Sequence, residues 1–444
     1  MPAPKQPAAD RRRAPRARRL DVRAIVGLVR AAAAVAWLLV AGFLLALPLN
    51  AAAVAPWNQF RGPTGDGHAQ GSGFPLEFSE TRNVRWKTPL DGKAWSSPVV
   101  WGRQVWVTNA PPDGRHLYAV CLSLETGAIL KNILVLENEN PQFCHPVNSY
   151  ASPTPVIEEG RIYVHFGSPV TACLDTDSGA VLWARHDLPC DHFRGPGSSP
   201  IVDGNLLIMH FDGFDEQYVV ALDKRDGRTV WRNDRAINYE TDDGDFKKAY
   251  GTPAIIHGDG RRQLISPAAV ATEALDPATG QLLWTVYHGG MNASARPVFG
   301  HGLVYITNGM GRLTAVRPEG RGDLTGAGIA WDSTRGVPKK SSLLLVGDLL
   351  FMVSDIGVAA CVEARTGQEV WSRRLGGEYA ASPILADGRI YLCSEQGTVT
   401  VIAPERQLQV LATNQLDDGF MASPAAAGRS LILRSRSHLY RLEQ

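Results

Sequence analysis

"ALDPATGQLLW", residues 274–284, recurs along the chain with small variations. "ALDKRDGRTVW" (221–231) has the same frame, "CLDTDSGAVLW" (173–183) and "CVEARTGQEVW" (361–371) carry Cys for Ala, and "CLSLETGAILK" (121–131) loses the Trp. In each copy a small residue is followed six positions later by Gly, at 127, 179, 227, 280 and 367. A polar residue that can bond its own backbone, then Gly at a position that tolerates φ > 0, is the chemistry of a tight turn between two strands. Apolar and polar residues alternate on both sides of that turn, as half-buried strands require.

A second element alternates with the first. It reads Ser/Thr-Pro, a short apolar run, a Gly turn and another apolar run, as in "SPVVWGRQVWV" (97–107), "TPVIEEGRIYV" (154–164) and "SPILADGRIYL" (382–392). Its third residues fall at 98, 155, 200, 253, 297, 343, 383 and 424, so each unit is two hairpins, or four strands. One four-stranded sheet cannot bury both faces, whereas eight packed radially can. The reading is all-β: an eight-bladed β-propeller over 83–444. The last unit lacks its outer strand and "NVRWKTPL" (83–90) has no unit before it, so the N-terminal strand is expected to complete the last blade and close the ring. Tryptophans 86, 183, 231, 284, 331 and 371 share one register and are assigned to packing between blades. Cys121, Cys173 and Cys361 stand where other repeats have Ala, and Cys393 lies within "IYLCS"; all four are read as small buried strand residues.

Composition narrows the class. Hydrophobic residues make up 44% and charged residues 20%, a globular balance. Residues 1–30 hold nine basic and two acidic side chains, so the remainder has a net charge of −6. That body offers no basic field to a phosphate backbone, and nucleic acid is not expected as a partner. Behind the basic segment, 31–47 ("AAAAVAWLLVAGFLLAL") is uninterruptedly apolar and is followed by "NAAAVA". Residues 1–55 are therefore expected to be a secretory signal cut after Ala53 or Ala55, with an uncleaved N-terminal membrane anchor through 31–47 as the alternative. The chain is expected to be exported, to the periplasm or cell envelope. No cysteine precedes Cys121, so a lipid-anchored N-terminus is not expected. Residues 56–82 are read as an N-terminal extension.

The repeat Ala-x-Asp-x-x-Thr-Gly-x-x-x-Trp resembles the tryptophan-docking signature of the pyrroloquinoline-quinone-type propellers, over about 83–444. That group includes quinoprotein alcohol dehydrogenases and the outer-membrane-protein assembly propeller. "WNQFRGPTGDG" (57–67) resembles the start of an exported subgroup of uncharacterised function. The dehydrogenase branch implies the quinone on the axis with Ca²⁺, an adjacent-cysteine disulfide and a catalytic Asp. No Cys-Cys pair and no Cys-x-x-Cys-His occur in this sequence. No cofactor and no catalytic residue is therefore assigned, and the quinone with Ca²⁺ stays as the alternative reading. The assembly branch implies a protein-binding scaffold.

In a propeller, the loop entering each innermost strand opens on one face around the axis. Candidate ligand residues in these loops are Trp95, His145, Asn148, Tyr150, His192, Arg194, Lys247, Tyr250, Tyr379 and Phe420. An aromatic mouth with both signs of charge suits an unknown protein partner or a small polar ligand; aromatics that merely plug the channel are the alternative. No metal site is assigned, since Asp242, Asp243 and Asp245 in "TDDGDFKK" lack the spacing of a calcium hand and have lysines beside them, and Asp212, Asp215 and Glu216 are weaker still. Cys144 ("FCHP") and Cys190 ("CDHF") hold nearly equivalent places before adjacent blades. In an oxidising compartment they are disulfide candidates. A zinc site with His145 and His192, or two free thiols, are the alternatives.

Overall fold

The computed structural model describes residues 1–3 and 55–444; the leader and the apolar run 31–47 lie outside the described residues. Among the described residues no helix is long and apolar enough to cross a membrane. Val54–Gln444 form one compact unit, and in it eight antiparallel sheets follow one another, as the repeats require. Blades 1 to 7 begin with the innermost strands Val99–Trp101, Val156–Glu158, Ile201–Asp203, Ala254–Gly258, Val298–Gly300, Leu344–Val346 and Ile384–Ala386. Blade 8 begins with Ala425–Ala427 and takes its outermost strand, Val84–Pro89, from the N-terminal side. That strand pairs antiparallel with His438–Leu442 from Val84↔Leu442 to Pro89↔His438, the expected closure. One addition was not foreseen. Gly322–Asp323, from the long loop of blade 5, pairs in parallel with the outer strand Leu282–Tyr287 of blade 4.

The repeat now has a physical explanation. The small residue that opens it lies directly across from the Trp: Ala221↔Trp231, Ala274↔Trp284, Cys173↔Trp183 and Cys361↔Trp371. A bulge follows immediately in each of these pairings and aims the outer strand at its neighbour. The indole N–H then reaches the next blade. Trp86 donates to Leu124 O at 2.9 Å, Trp183 to Lys224 O at 3.1 Å, Trp231 to Pro277 O at 3.1 Å and Trp371 to Glu405 O at 3.0 Å. Its ring lies against the turn glycine; a Cβ on Gly280 would sit 2.5 Å from the Trp231 ring, and its φ is +72°. Trp284 departs from the rule and donates to Gln263 Oε1 within its own blade, at 2.6 Å.

Around the axis runs a girdle built by the Ser/Thr of each Ser/Thr-Pro pair. The amide of Ser97 donates to Thr154 Oγ1 (2.9 Å), Thr154 to Ser199 Oγ (2.9 Å) and Ser199 to Thr252 Oγ1 (3.1 Å). On the other side Arg296 donates to Ser342 Oγ, Ser342 to Ser382 Oγ and Ser382 to Ser423 Oγ, each at 2.9 Å, and Ser423 returns to Ser97 Oγ at 3.0 Å. Only blade 5 lacks the hydroxyl, because Arg296 stands in its place.

Residues 57–69 form a strap across this ring. Trp57 exchanges backbone bonds with Val100 of blade 1, and Asn58 O accepts from Ile157 of blade 2. Arg61 donates to Leu343 O at 2.7 Å, His68 Nε2 meets Leu345 O at 2.7 Å, and Gly67 and Ala69 pair with Leu385 of blade 7. Contacts with innermost strands on opposite sides of the ring mean that the strap crosses the axis. They lie beyond the girdle, at the end opposite the entry loops. Arg296 holds the strap from below, donating to Phe60 O at 2.7 Å. Gly65, at φ +72°, passes so close to the Arg296 guanidinium that no Cβ could fit. Further on, Phe74 and Phe78 are buried in the core and Tyr391 donates to Pro75 O. The segment 56–82 is thus built into the propeller.

A well on the propeller axis

On the entry-loop face the axis opens into a cavity of about 420 Å³ to which all eight blades contribute. Its wall includes Trp95, His145, Asn148, Arg194, Tyr250, Lys339, Lys340, Asp355 and Met421. Below it, a narrower chamber of about 120 Å³ shares Trp95, Tyr250, Lys340 and Met421 and reaches the girdle, with Phe60 of the strap as its floor. The axis is therefore a blind well. Larger clefts occur elsewhere, such as about 840 Å³ between blades 6 and 7, but that one is lined by the docked Trp371 and the outer strands of those two blades.

Five of the ten candidate residues line the well: Trp95, His145, Asn148, Arg194 and Tyr250. Trp95 is fixed by its indole bond to Val147 O at 3.0 Å. Asn148 is fully engaged, donating to Arg194 O and Pro196 O and accepting from Ser152 Oγ, so it shapes the wall more than it offers free groups. Arg194 forms an ion pair with Asp245. Tyr250 lies under the buried Lys248 ammonium, 4.9 Å from its ring centre, and Lys248 in turn donates to Asp212 O. Burial lowers the Lys248 pKa and raises that of Tyr250.

The other five face elsewhere. Tyr150 donates to Gln142 O and borders a side pocket with Cys144 and Pro146. Lys247 lies over Tyr239, away from the axis. Tyr379 and Phe420 are 1% exposed and belong to the cores of blades 6–7 and 7–8, where the aromatic body is worth more buried than displayed. His192 is also buried; its Nε2 accepts from the Ser168 amide at 2.9 Å, which leaves Nδ1–H to face Cys190 Sγ at 3.7 Å.

The expected Cys144–Cys190 bond is not formed: both thiols are free. Cys144 faces the Arg194 carbonyl and Gly195, whereas Cys190 packs with Phe211 and Tyr218 in a separate core. Burial pushes the Cys144 thiol up to about 11, and Cys190 higher still. The histidines do not join them in a metal site, since His145 Nδ1 accepts from the Val147 amide and His192 is spent on Ser168. Among the described residues no group of three or more His, Cys, Asp or Glu side chains is placed to hold a metal. Asp243 caps the short 3₁₀ helix Gly244–Lys247, Asp215 accepts from the amides of Asp191 and Glu216, and Asp212 chelates the buried Arg235.

The residues of the well do not fit a quinone held with Ca²⁺. Such an ion takes six to eight oxygens. Asp355 is the single carboxylate in the lining, and it already accepts from the amides of Lys339 and Lys340 at 2.9 and 3.3 Å. Lys339 and Lys340, legible in the entry loops as charged neighbours of the mouth, also line it, and Asn292, Ser294 and Met421 join them. Their signal was their place just before the Ser/Thr or Arg of the innermost strand.

Fold and docking pattern define a tryptophan-docked eight-bladed propeller of the quinoprotein type. The family described as outer membrane protein assembly factor BamB matches residues 141–373 and 268–410, more than half of the chain. The chain belongs to that family. It is 21% identical over 318 residues to the outer membrane protein assembly factor BamB of Yersinia pestis, covering 67% of this chain and 76% of that one. Among solved structures it superposes on BamB from Moraxella catarrhalis with a TM-score of 0.57 at 14% identity, over 81% of this chain and 99% of the other. A europium-containing methanol dehydrogenase gives 0.63 at 12% identity, over 86% and 90%. Identities this low speak for fold alone.

Proposed function

We propose that this protein is an exported, non-catalytic propeller of the cell envelope that binds a protein partner or ligand at its entry-loop face. The observation that carries the reading is the blind well: the strap takes up one end of the axis, and loops from all eight blades converge on the other. Beside the well stands an exposed aromatic ridge. Phe193 packs 6.1 Å from Phe143 and 5.2 Å from Phe214, and Phe143 is 60% exposed. Phe193 holds φ +51°, a conformation that costs free energy. Exposed aromatic clusters of this kind mark protein contact surfaces. The similarity to proteins named for outer-membrane-protein assembly points the same way.

A photo-crosslinking residue placed at Val147, on the rim, is expected to capture a partner in intact envelopes; the same residue at exposed Ile129, on the outer strand of blade 1, is expected to capture none. Equal capture at both sites, or none at either, overturns the reading. The second reading, a quinone-dependent dehydrogenase using the same axis, draws on the fold shared with the methanol dehydrogenase. Incubation with pyrroloquinoline quinone and Ca²⁺ is expected to give no bound chromophore and no alcohol-dependent dye reduction. Binding with turnover would reverse the order of the two readings.

A further inference from the structure

The girdle hydroxyls have a hydrogen left over. Each Ser or Thr side chain offers one O–H and two lone pairs. In Ser97, Thr154, Ser199, Thr252, Ser382 and Ser423 a lone pair accepts the amide of the preceding blade. None of the six donates its own hydrogen to a protein acceptor among the described residues. All six side chains are at least nine-tenths buried, and all six line the inner chamber of about 120 Å³.

The chamber's remaining chemistry has one sign. Its lining contains no Asp or Glu, and its single charged side chain is Lys340. The Lys340 ammonium is only partly satisfied, 3.3 Å from Glu395 and 3.8 Å from Asp355. Higher in the well, Arg194 and Lys339 add positive charge at the wall, Arg194 already paired with Asp245. A group that only accepts hydrogen bonds suits such a collar, because O–H donors to an anionic oxygen make short, strong bonds. Water is the competing occupant of so polar a chamber. Above the collar the well widens between Trp95, Tyr250, Ala380 and Met421, which suit an apolar body.

We infer that the axial well takes a carboxylate-tipped small molecule, its head hydrogen-bonded by hydroxyls of the girdle with Lys340 beside it and its apolar body against Trp95, Tyr250 and Met421. This deepens the reading of the entry-loop face as a binding surface and rests on it. The strap takes part as the floor: Phe60 fixes how far the head can enter.

The test compares 3-phenylpropionate with 3-phenylpropionamide, nearly equal in shape and differing in charge, with acetate as the head alone. The reporter is the ¹³C-methyl signal of Met421 in the full propeller, assigned by Met421→Leu. The acid is expected to shift that signal with an affinity at least about tenfold above the amide, the advantage of a charge-assisted acceptor. Thr154→Val combined with Thr252→Val removes two donors at nearly constant volume and is expected to weaken the acid about tenfold while leaving the amide unchanged. The same change takes an acceptor from the amides of Ser97 and Ser199, so melting is followed alongside; should the variant not fold, the acid-to-amide ratio of the wild type decides. Equal binding of acid and amide overturns the collar and leaves the wider binding face standing. An unmoved Met421 signal with both phenyl probes and with acetate at about 50 mM, weaker than any ordinary ligand site, overturns it as well. Failure of the broader reading is reported separately by the crosslinking.

Discussion

Arg296 shows how much a single position in the girdle carries. Every other blade places a hydroxyl there and receives its neighbour's amide. Arg296 instead sends a guanidinium out of the ring to Phe60 O and toward Gln59 Oε1. Burial lowers its pKa to about 10 and that of Arg61 to about 9, so both are cations at neutral pH, held mostly by carbonyls. Arg296→Ser would restore the missing hydroxyl within reach of the Thr252 amide and release the strap. We expect amide exchange across 57–69 to rise at least about tenfold while the blades keep their protection, since local opening is graded by local contacts. Unchanged exchange in the strap would show that Trp57 and the Leu385 pairing hold it without Arg296.

Among elements, the closing strand Val84–Pro89 carries the greatest consequence. It supplies the outer edge of blade 8, and its Trp86 docks on the Leu124 carbonyl and Gly127 of blade 1. Trp86→Ala removes a buried aromatic from the strand whose pairing with His438–Leu442 closes the ring within blade 8. A loss of roughly 3–5 kcal/mol is expected, the range for buried aromatics cut to Ala, with chemical denaturation as the measurement. A variant as stable as the wild type would refute closure at this seam. This strand was legible in the sequence because its Trp keeps the register of the others and the last repeat lacks a partner. The strap was not, because its contacts are scattered over five blades, across as many as 322 residues, and follow no period. Nor was the girdle: its Ser and Thr were visible in the repeats, but a residue opening a strand and one lining an axis look alike in sequence. Half of the ten entry-loop candidates line the well. Tyr379 and Phe420 were misplaced because spacing before the Ser-Pro pair cannot tell a ring facing the mouth from one turned into the adjacent core, and His192 because its partner Ser168 comes from another blade.

At the scale of the whole molecule, four buried histidines set an acid limit. His210 donates from Nδ1 to Gly251 O and meets Ser266 Oγ at Nε2; His288 does the same with Gly289 O and Thr272 Oγ1. With His165 and His192 they are held neutral, burial pushing His288 down to about 4, His165 to about 3 and the other two well below the usual value. Unfolded, all four would take protons near pH 6.5, so between that pH and the folded values the unfolded chain binds more protons. Their contribution is complete above about pH 6.5 and is lost as pH falls toward 4, at up to about 1.4 kcal/mol per pH unit for each histidine. Glu443 acts in a lower window. Despite desolvation, its bonds to Ser430 and Arg429 and the charge of Arg441 bring its pKa down to about 2, so its contribution holds above about pH 4.5 and is lost below. Melting temperature should be nearly flat from pH 8 to 7 and fall steeply from 6 to 4.5. A flat profile across that lower range would mean that these histidines are not held neutral.

The seam at blade 8 also has a history in time. Val84 leaves the ribosome 358 residues before Leu442, its partner. At ~5–20 residues per second the wait is about 20–70 s. Throughout it, Val84–Pro89 is an unpaired strand bearing a large indole, and no shorter nascent chain can complete the circle. The ring closes only once His438–Leu442 has been made, and whatever escorts the chain must keep Val84–Pro89 from pairing elsewhere until then.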